Sequence, residues 1–281
     1  MLAFVLTVAD HDVELASDAL WDLGVVAVEE RSGGVGMVEL WTALGDDPDV
    51  VAAVASVFVE PWSWRTEEID EAVADTWRNF ATAIWVEPDL VVRPAWIEAS
   101  FAPEVTVLSI EPGPTFGMGD HPTTITSMRA IRRVIEPGAS MLDVGCGSGV
   151  LSVAAVRFGA RFARGIDIAA AAVQVTLDNA ARNDVSSSSI AVDTVPLAFV
   201  ADTDGPFDVV VANILAPTLV ELAPHLVRVT APEGALVISG ILADRHDHVL
   251  EALAPMQVVA CDELDGWVAI TLRHPAVPPP R

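Results

Sequence analysis

Three glycines at alternate positions, Gly145, Gly147 and Gly149, follow Asp143 in the segment LDVGCGSGVLSVAAV. An apolar run precedes them and a helical pattern follows, so they mark a strand-to-helix turn. Glycine there lets the backbone turn tightly and lets a ligand approach it closely. A dinucleotide-binding loop would place its third glycine at Val150. The GxGxG spacing found instead suits a ligand with no pyrophosphate to cradle. Eighteen residues after Gly149, Asp167 ends the next strand pattern, where a carboxylate can accept both hydroxyls of a ribose. Asp193 follows the third strand pattern as a further acid at a strand end or in an exposed loop. The alternative for the whole group is a tight turn with incidental acids. Two further segments carry polar side chains at element ends. EPGPTFGMGDHPTTITSM sets His121, Thr123 and Thr124 ahead of a helical pattern, and each of these also reads as an ordinary helix cap. FDVVVANIL ends a strand pattern at Asn213, and open α/β sheets bind ligands at the carboxyl ends of their strands.

The elements that must position these residues fall into two parts. Residues 2–8, 25–31, 35–42 and 61–67 read as strands, with helices at 11–23 and 49–58. That βαββαβ order predicts a small α+β ferredoxin-like domain over 1–67. Residues 68–82 predict an acidic connector helix, and 84–110 short strands broken by Pro88, Pro94 and Pro103. From 123 onward strand and helix patterns alternate, with a final strand pair at 256–262 and 267–272. This predicts a Rossmann-like, doubly wound parallel sheet over 83–273. The HPAVPPPR end, 274–281, reads as a disordered tail.

Composition narrows the function. Forty acids face fifteen bases, a net charge of −25, and every base is arginine; lysine and tyrosine are absent. Residues 1–100 hold 20 acids and 4 bases, a net of −16. Such a surface opposes direct nucleic-acid binding and favours a basic partner. With 52% hydrophobic residues the chain is no disordered acidic tail. Cys146 and Cys261 are too few for a disulfide framework or a cysteine zinc site, and the six histidines are scattered, so no metal is expected. The longest run without charge, Val144–Val156, has 13 residues, too few to span a bilayer. The opening residues lack a basic stretch. A cytoplasmic monomer is the expectation.

The glycine loop with Asp143 and Asp167 resembles the S-adenosylmethionine site of class I methyltransferases. With FGMGDHPTT before it, ANILAPTLVELAPHL and SGILADRHDHVLEAL after it, and the closing GWVAITLRH, the chain is similar to the PrmA family. These enzymes methylate large-subunit ribosomal protein eleven. The likeness covers about 68–273, roughly three-quarters of the chain. It implies that Gly145, Gly147, Asp143 and Asp167 hold the cofactor. It also implies that Thr124 contacts the cofactor, and that Phe116, Gly117, Gly119 and His121 line the pocket. Asn213 matches the family asparagine at the end of the fourth strand, with cofactor-binding and catalytic roles. His121 is the second catalytic candidate. Met118 and Asp120 stand where the family pattern has threonine. The small first domain would dock the basic ribosomal protein.

Methyl transfer to an amine needs a free lone pair, so a lysine amine near pKa ~10.4 must first lose its proton. The Asn213 side-chain oxygen can accept from that amine and aim its lone pair. Enzymes acting on amides or base amines carry Asn/Asp-Pro-Pro-Tyr here, whereas this chain has Asn213, Ile214, Leu215 and Ala216. Protein amines, on lysine side chains or at an N-terminus, therefore lead. Alternatives are a lysine methyltransferase for another protein, such as an electron-transfer flavoprotein subunit, a small-molecule or RNA methyltransferase, or a cofactor-binding scaffold. Trp77, Trp85 and Trp96 face either substrate or domain packing.

Overall fold

The computed structural model describes residues 2–22, 25, 28–43, 58, 61–68, 81–113, 115, 117–200 and 205–275. The chain divides into two compact units, Met1–Ala81 and Thr82–Arg281. The expected helix at 49–58 and nearly all of the expected connector helix lie outside the described residues, as do Phe116, Trp77 and most of the tail.

The first unit holds β1 (Leu2–Ala9), α1 (Val13–Asp22), β2 (Glu29–Ser32), β3 (Met37–Ala43) and β4 (Ser63–Glu68). Its strands run in the order β2-β3-β1-β4, every neighbour antiparallel. That is the order a βαββαβ chain adopts when each half makes a right-handed crossover. The period-2 pattern of β1 sends Phe4, Leu6 and Val8 into a core with Ala16, Leu20, Leu40 and Phe58. Ala3, Val5 and Trp41 form the opposite face, where the Arg31 guanidinium lies 4.0 Å above the Trp41 ring.

The second unit contains two sheets. The smaller joins β5 (Ile84–Glu87), β6 (Leu90–Pro94) and β7 (Thr106–Ile110), with β6 and β7 parallel. The larger is built from β8 (Ser140–Val144), β9 (Phe162–Ile166), β10 (Ile190–Asp193), β11 (Phe207–Asn213), β12 (Thr230–Leu242), β13 (Gln257–Leu264) and β14 (Trp267–Arg273). Helices α2 (Pro122–Val134), α3 (Val150–Arg157), α4 (Ala170–Arg182), α5 (Leu197–Val200), α6 (Ala216–Val229) and α7 (Asp247–Ala252) accompany it. Both faces are apolar. Met141, Val209, Val211 and Val237 pack with α2 and α3, and Leu142, Val210, Leu236 and Ile238 pack with α6 and α7. This is why the strands read as unbroken hydrophobic runs.

The strand order is β10-β9-β8-β11-β12-β14-β13. Five strands are parallel, but β14 is antiparallel to both neighbours, which corrects the expectation of a parallel sheet. The cause is local. Asp265 and Gly266 have φ of 50° and 80°, the backbone of a two-residue turn that folds β13 straight back as a hairpin. β14 then fills the gap beside β12. The chain reverses its direction of travel between β8 and β11, so a crevice opens at their carboxyl ends.

Candidate functional site

β8 is buried along its whole length and delivers Gly145, Gly147 and Gly149 to that crevice. All three lie in the left-handed region, with φ of 75°, 52° and 73°. Space also demands glycine. A Cβ on Gly145 would sit 2.5 Å from the Ile214 side chain, and one on Gly149 2.3 Å from Thr176. The loop is tied to the end of β9. The Ile166 carbonyl accepts the amides of Gly145 and Cys146, and Asp167 Oδ2 accepts the Gly147 amide at 2.8 Å. Asp167 Oδ1 accepts the Ala169 amide at 2.8 Å, so the carboxylate is fixed in orientation while it keeps lone pairs to spare. Beneath the loop, Asp143 is 1% exposed and accepts the Ser152 hydroxyl at 2.7 Å. Burial pushes its pKa up to about 7, with the Ser152 bond opposing and the nearby Asp167 charge adding.

The segment before α2 closes one side. Gly117 and Gly119 both have φ of 103°. The Gly117 carbonyl accepts the Ser148 hydroxyl, linking this segment to the glycine loop. A Cβ on Gly119 would lie 2.6 Å from Val92 of β6. His121 is the N-cap of α2: Nδ1 accepts the Thr123 amide at 3.3 Å and lies 2.8 Å from its hydroxyl. Its ring meets Trp267 edge-on with centroids 5.1 Å apart. Burial lowers its pKa, partly offset by the Asp120 charge. One residue into the helix beyond Thr123, Thr124 is 1% exposed and its hydroxyl has no hydrogen-bond partner. Ser127, on the same helical face, is equally buried and unpartnered.

Asn213 stands at the end of β11, in register with Ser239 of β12. Among the described residues its half-buried carboxamide has no hydrogen-bond partner. Ile214 wedges between two glycines, its side chain against Gly145 and its carbonyl where a Cβ on Gly240 would fall, 2.3 Å away. Ser239 reaches the Thr123 carbonyl at 3.5 Å, which brings the start of α2 to the same strand ends. These contacts gather Thr124, Gly117, Gly145, Gly147, Asp143, Asp167, Asn213 and His121 around one crevice. Asp193 instead accepts the Arg164 guanidinium on Oδ2 (2.8 Å) and the Val195 amide on Oδ1. Trp85 is 52% exposed with its ring edge-on to Phe101, outside this group.

Several supporting residues escaped the sequence reading. Asn179 on α4 and Asn183, its C-cap, both buried, satisfy the backbone of Ser109 and Glu111 with paired amide bonds of 2.7–2.9 Å. Ile168 is 97% exposed directly after Asp167. An apolar residue that close to a strand-end acid, with no core to join, was the available signal. No cluster of three His, Cys, Asp or Glu side chains suited to a metal occurs among the described residues. Nor, among them, is any helix long and apolar enough to cross a membrane.

Comparison with known proteins agrees with this geometry. The family model "Ribosomal protein L11 methyltransferase (PrmA)" matches residues 46–275. The ribosomal protein L11 methyltransferase of Chromohalobacter salexigens is 38% identical over 259 residues, covering 86% of this chain and 85% of that one. That of Cupriavidus taiwanensis is 35% identical over 295 residues, covering 95% and 96%. Among solved structures, the ribosomal protein L11 methylase of Lactobacillus delbrueckii subsp. bulgaricus superposes with a TM-score of 0.63 at 30% identity, over 69% of this chain and 99% of that one. The match runs through the crevice residues and both flanking segments, and on it this chain belongs to the ribosomal protein L11 methyltransferase family.

Proposed function

We propose that this chain transfers methyl groups from S-adenosylmethionine to amines of a large-subunit ribosomal protein, on lysine side chains, at the N-terminus, or both. One observation carries the proposal. Among the described residues the buried Thr124 hydroxyl has no hydrogen-bond partner at the helix start that rims the crevice, and buried polar groups are otherwise satisfied. A polar ligand with its own donors and acceptors fits that rim. When bound, S-adenosylmethionine supplies an electrophilic sulfonium methyl.

The protein's own residues do the rest. Asp167, held by two backbone amides, offers its remaining lone pairs to vicinal hydroxyls. Ile168 offers an apolar surface beside them. Gly145 and Gly147 let the backbone come close to the cofactor's amino-acid part, and Thr124 supplies a hydroxyl. Asp143, under the loop, favours positive charge above it when ionised. Asn213 accepts an N–H of the incoming amine through its side-chain oxygen and fixes the lone-pair direction. Water excluded from the crevice lowers the amine's pKa. Alignment of this kind contributes ~7–11 kcal/mol in favourable cases.

The first domain docks the basic substrate, supported by the net charge of −16 over residues 1–100. The enzyme works as a cytoplasmic monomer without touching nucleic acid, a picture supported by its −25 charge. The test is incubation with labelled S-adenosylmethionine and purified ribosomal proteins, followed by mass spectrometry of any labelled band. One labelled large-subunit protein is expected. Label confined to another protein, or none, would refute the assignment.

A further inference from the structure

We propose that His121 and Trp267 are positioning residues: the imidazole, braced by the indole edge, caps α2 and so holds the buried hydroxyls of Thr124 and Ser127 in place at the crevice. The inference rests on the function proposed above.

The first support is how His121 spends its nitrogen. Nδ1 accepts the Thr123 amide and lies 2.8 Å from the Thr123 hydroxyl. A ring nitrogen that accepts an N–H is committed, and in this state it takes no substrate proton. The His121 carbonyl also accepts the amides of Thr124 and Ile125, at 3.0 and 3.1 Å. One residue therefore holds three successive amides of the first turn, through its side chain for Thr123 and its backbone for the next two.

The second support is what braces the ring. Trp267 is the first residue of β14, set by the Asp265–Gly266 turn. Its ring and the imidazole are 69° apart in plane and 5.1 Å apart in centroid, an edge-to-face geometry favoured by aromatic quadrupoles. Ser239 of β12 lies between the same two elements: its hydroxyl donates to the Val268 carbonyl at 2.7 Å and stands 3.5 Å from the Thr123 carbonyl. The start of α2 therefore packs close to the start of β14, and the ring contact is what braces it.

The electrostatics keep the ring in its accepting form. Burial, and the positive end of the helix, oppose the imidazolium; Asp120, the adjoining carboxylate, favours it. The burial effect is the larger, so the ring is neutral at pH 7 and the cap is intact. Acid protonates Nδ1 and releases the amide. Thr124 and Ser127, three residues apart on one face, then lose their fixed position together.

The test compares His121→Ala, His121→Asn and Trp267→Leu. Asparagine is among the best N-caps but has no titrating nitrogen. His121→Ala is expected to weaken S-adenosylmethionine binding, read by calorimetry, about tenfold, the range of a lost cap, and to raise the cofactor KM in step. His121→Asn is expected to restore affinity to within about twofold and to remove the loss of affinity that acid is expected to cause in the wild type. Trp267→Leu falls between. Equal loss of kcat in both His121 variants at saturating cofactor would overturn the proposal in favour of proton transfer. Hydrogen exchange at the Thr123–Ile125 amides, measured without cofactor, reads the cap alone. It should quicken in His121→Ala and recover in His121→Asn, and unchanged exchange in His121→Ala would overturn the proposal. If exchange responds as expected but the wild type binds no S-adenosylmethionine, the functional assignment falls and the cap stands.

Discussion

At the residue scale, the crevice depends on side chains that are absent as much as on those present. Gly145, Gly240 and Gly149 are glycines because Ile214 and Thr176 occupy the space a Cβ would need. Gly145→Ala and Gly240→Ala are each expected to cost about 1–3 kcal/mol and to reduce cofactor affinity. Gly138→Ala has the same left-handed strain, with φ of 88°, but nothing near its Cβ, so it should leave affinity unchanged. Urea unfolding and calorimetry separate the two effects. Asn213→Ala is expected to lower kcat by 10²–10³-fold at saturating cofactor, roughly the loss seen when a positioned polar group is removed; full turnover would refute its role. Asp143 gives a signed pH dependence. Its pKa is raised in the fold, so the folded protein keeps a proton that the unfolded chain releases near pH 4. The stability it contributes is full below that and is lost as pH rises toward about 7. Asp143→Asn should match the wild type near pH 4 and exceed it at pH 8, by up to about 4 kcal/mol for a shift of that size. The glycine spacing, Asp167 and Asn213 were legible because their places at element ends are themselves sequence patterns. Ser152, Asn179 and Asn183 were not: nothing local tells a buried helix polar residue from an exposed one until its partner strand is placed.

At the scale of elements, β7 shows what such a partner does. Its free edge is satisfied by asparagine side chains from α4 rather than by another strand. Asn179→Leu leaves the Glu111 amide and carbonyl and the Ser148 carbonyl without that partner. A loss of about 2–4 kcal/mol is expected in urea unfolding, since each buried group left unpaired costs ~1–3 kcal/mol. The repeated β-α units were readable from periodicity, and α2 begins and ends within a residue of its pattern. The direction of β14 was not, because an Asp-Gly turn specifies a hairpin without saying on which side of β13 the returning strand lies. Only the open edge of β12 decides that.

At the scale of the molecule, the first unit is the more densely acidic, with a net charge of −14 over residues 1–81 against −11 over residues 82–281. Deleting residues 1–65 should abolish methylation of a protein substrate yet leave cofactor affinity within about twofold; unchanged methylation would refute the docking role. Raising salt from 50 to 300 mM should increase the KM for that substrate about tenfold, because exposed charges are screened over a shorter Debye length, and leave cofactor binding alone. The place of β14 carries one more consequence, for the time at which the enzyme becomes competent. It is synthesised after every other strand of its sheet, yet it lies inside that sheet and supplies Trp267 to the start of α2. A nascent chain that has made the glycine loop, Asp167 and Asn213 still has β12 uncovered and α2 unbraced. On the bracing proposed above, the cofactor site is expected to mature last, and a chain truncated before Trp267 should bind the methyl donor more weakly than the full chain in calorimetry.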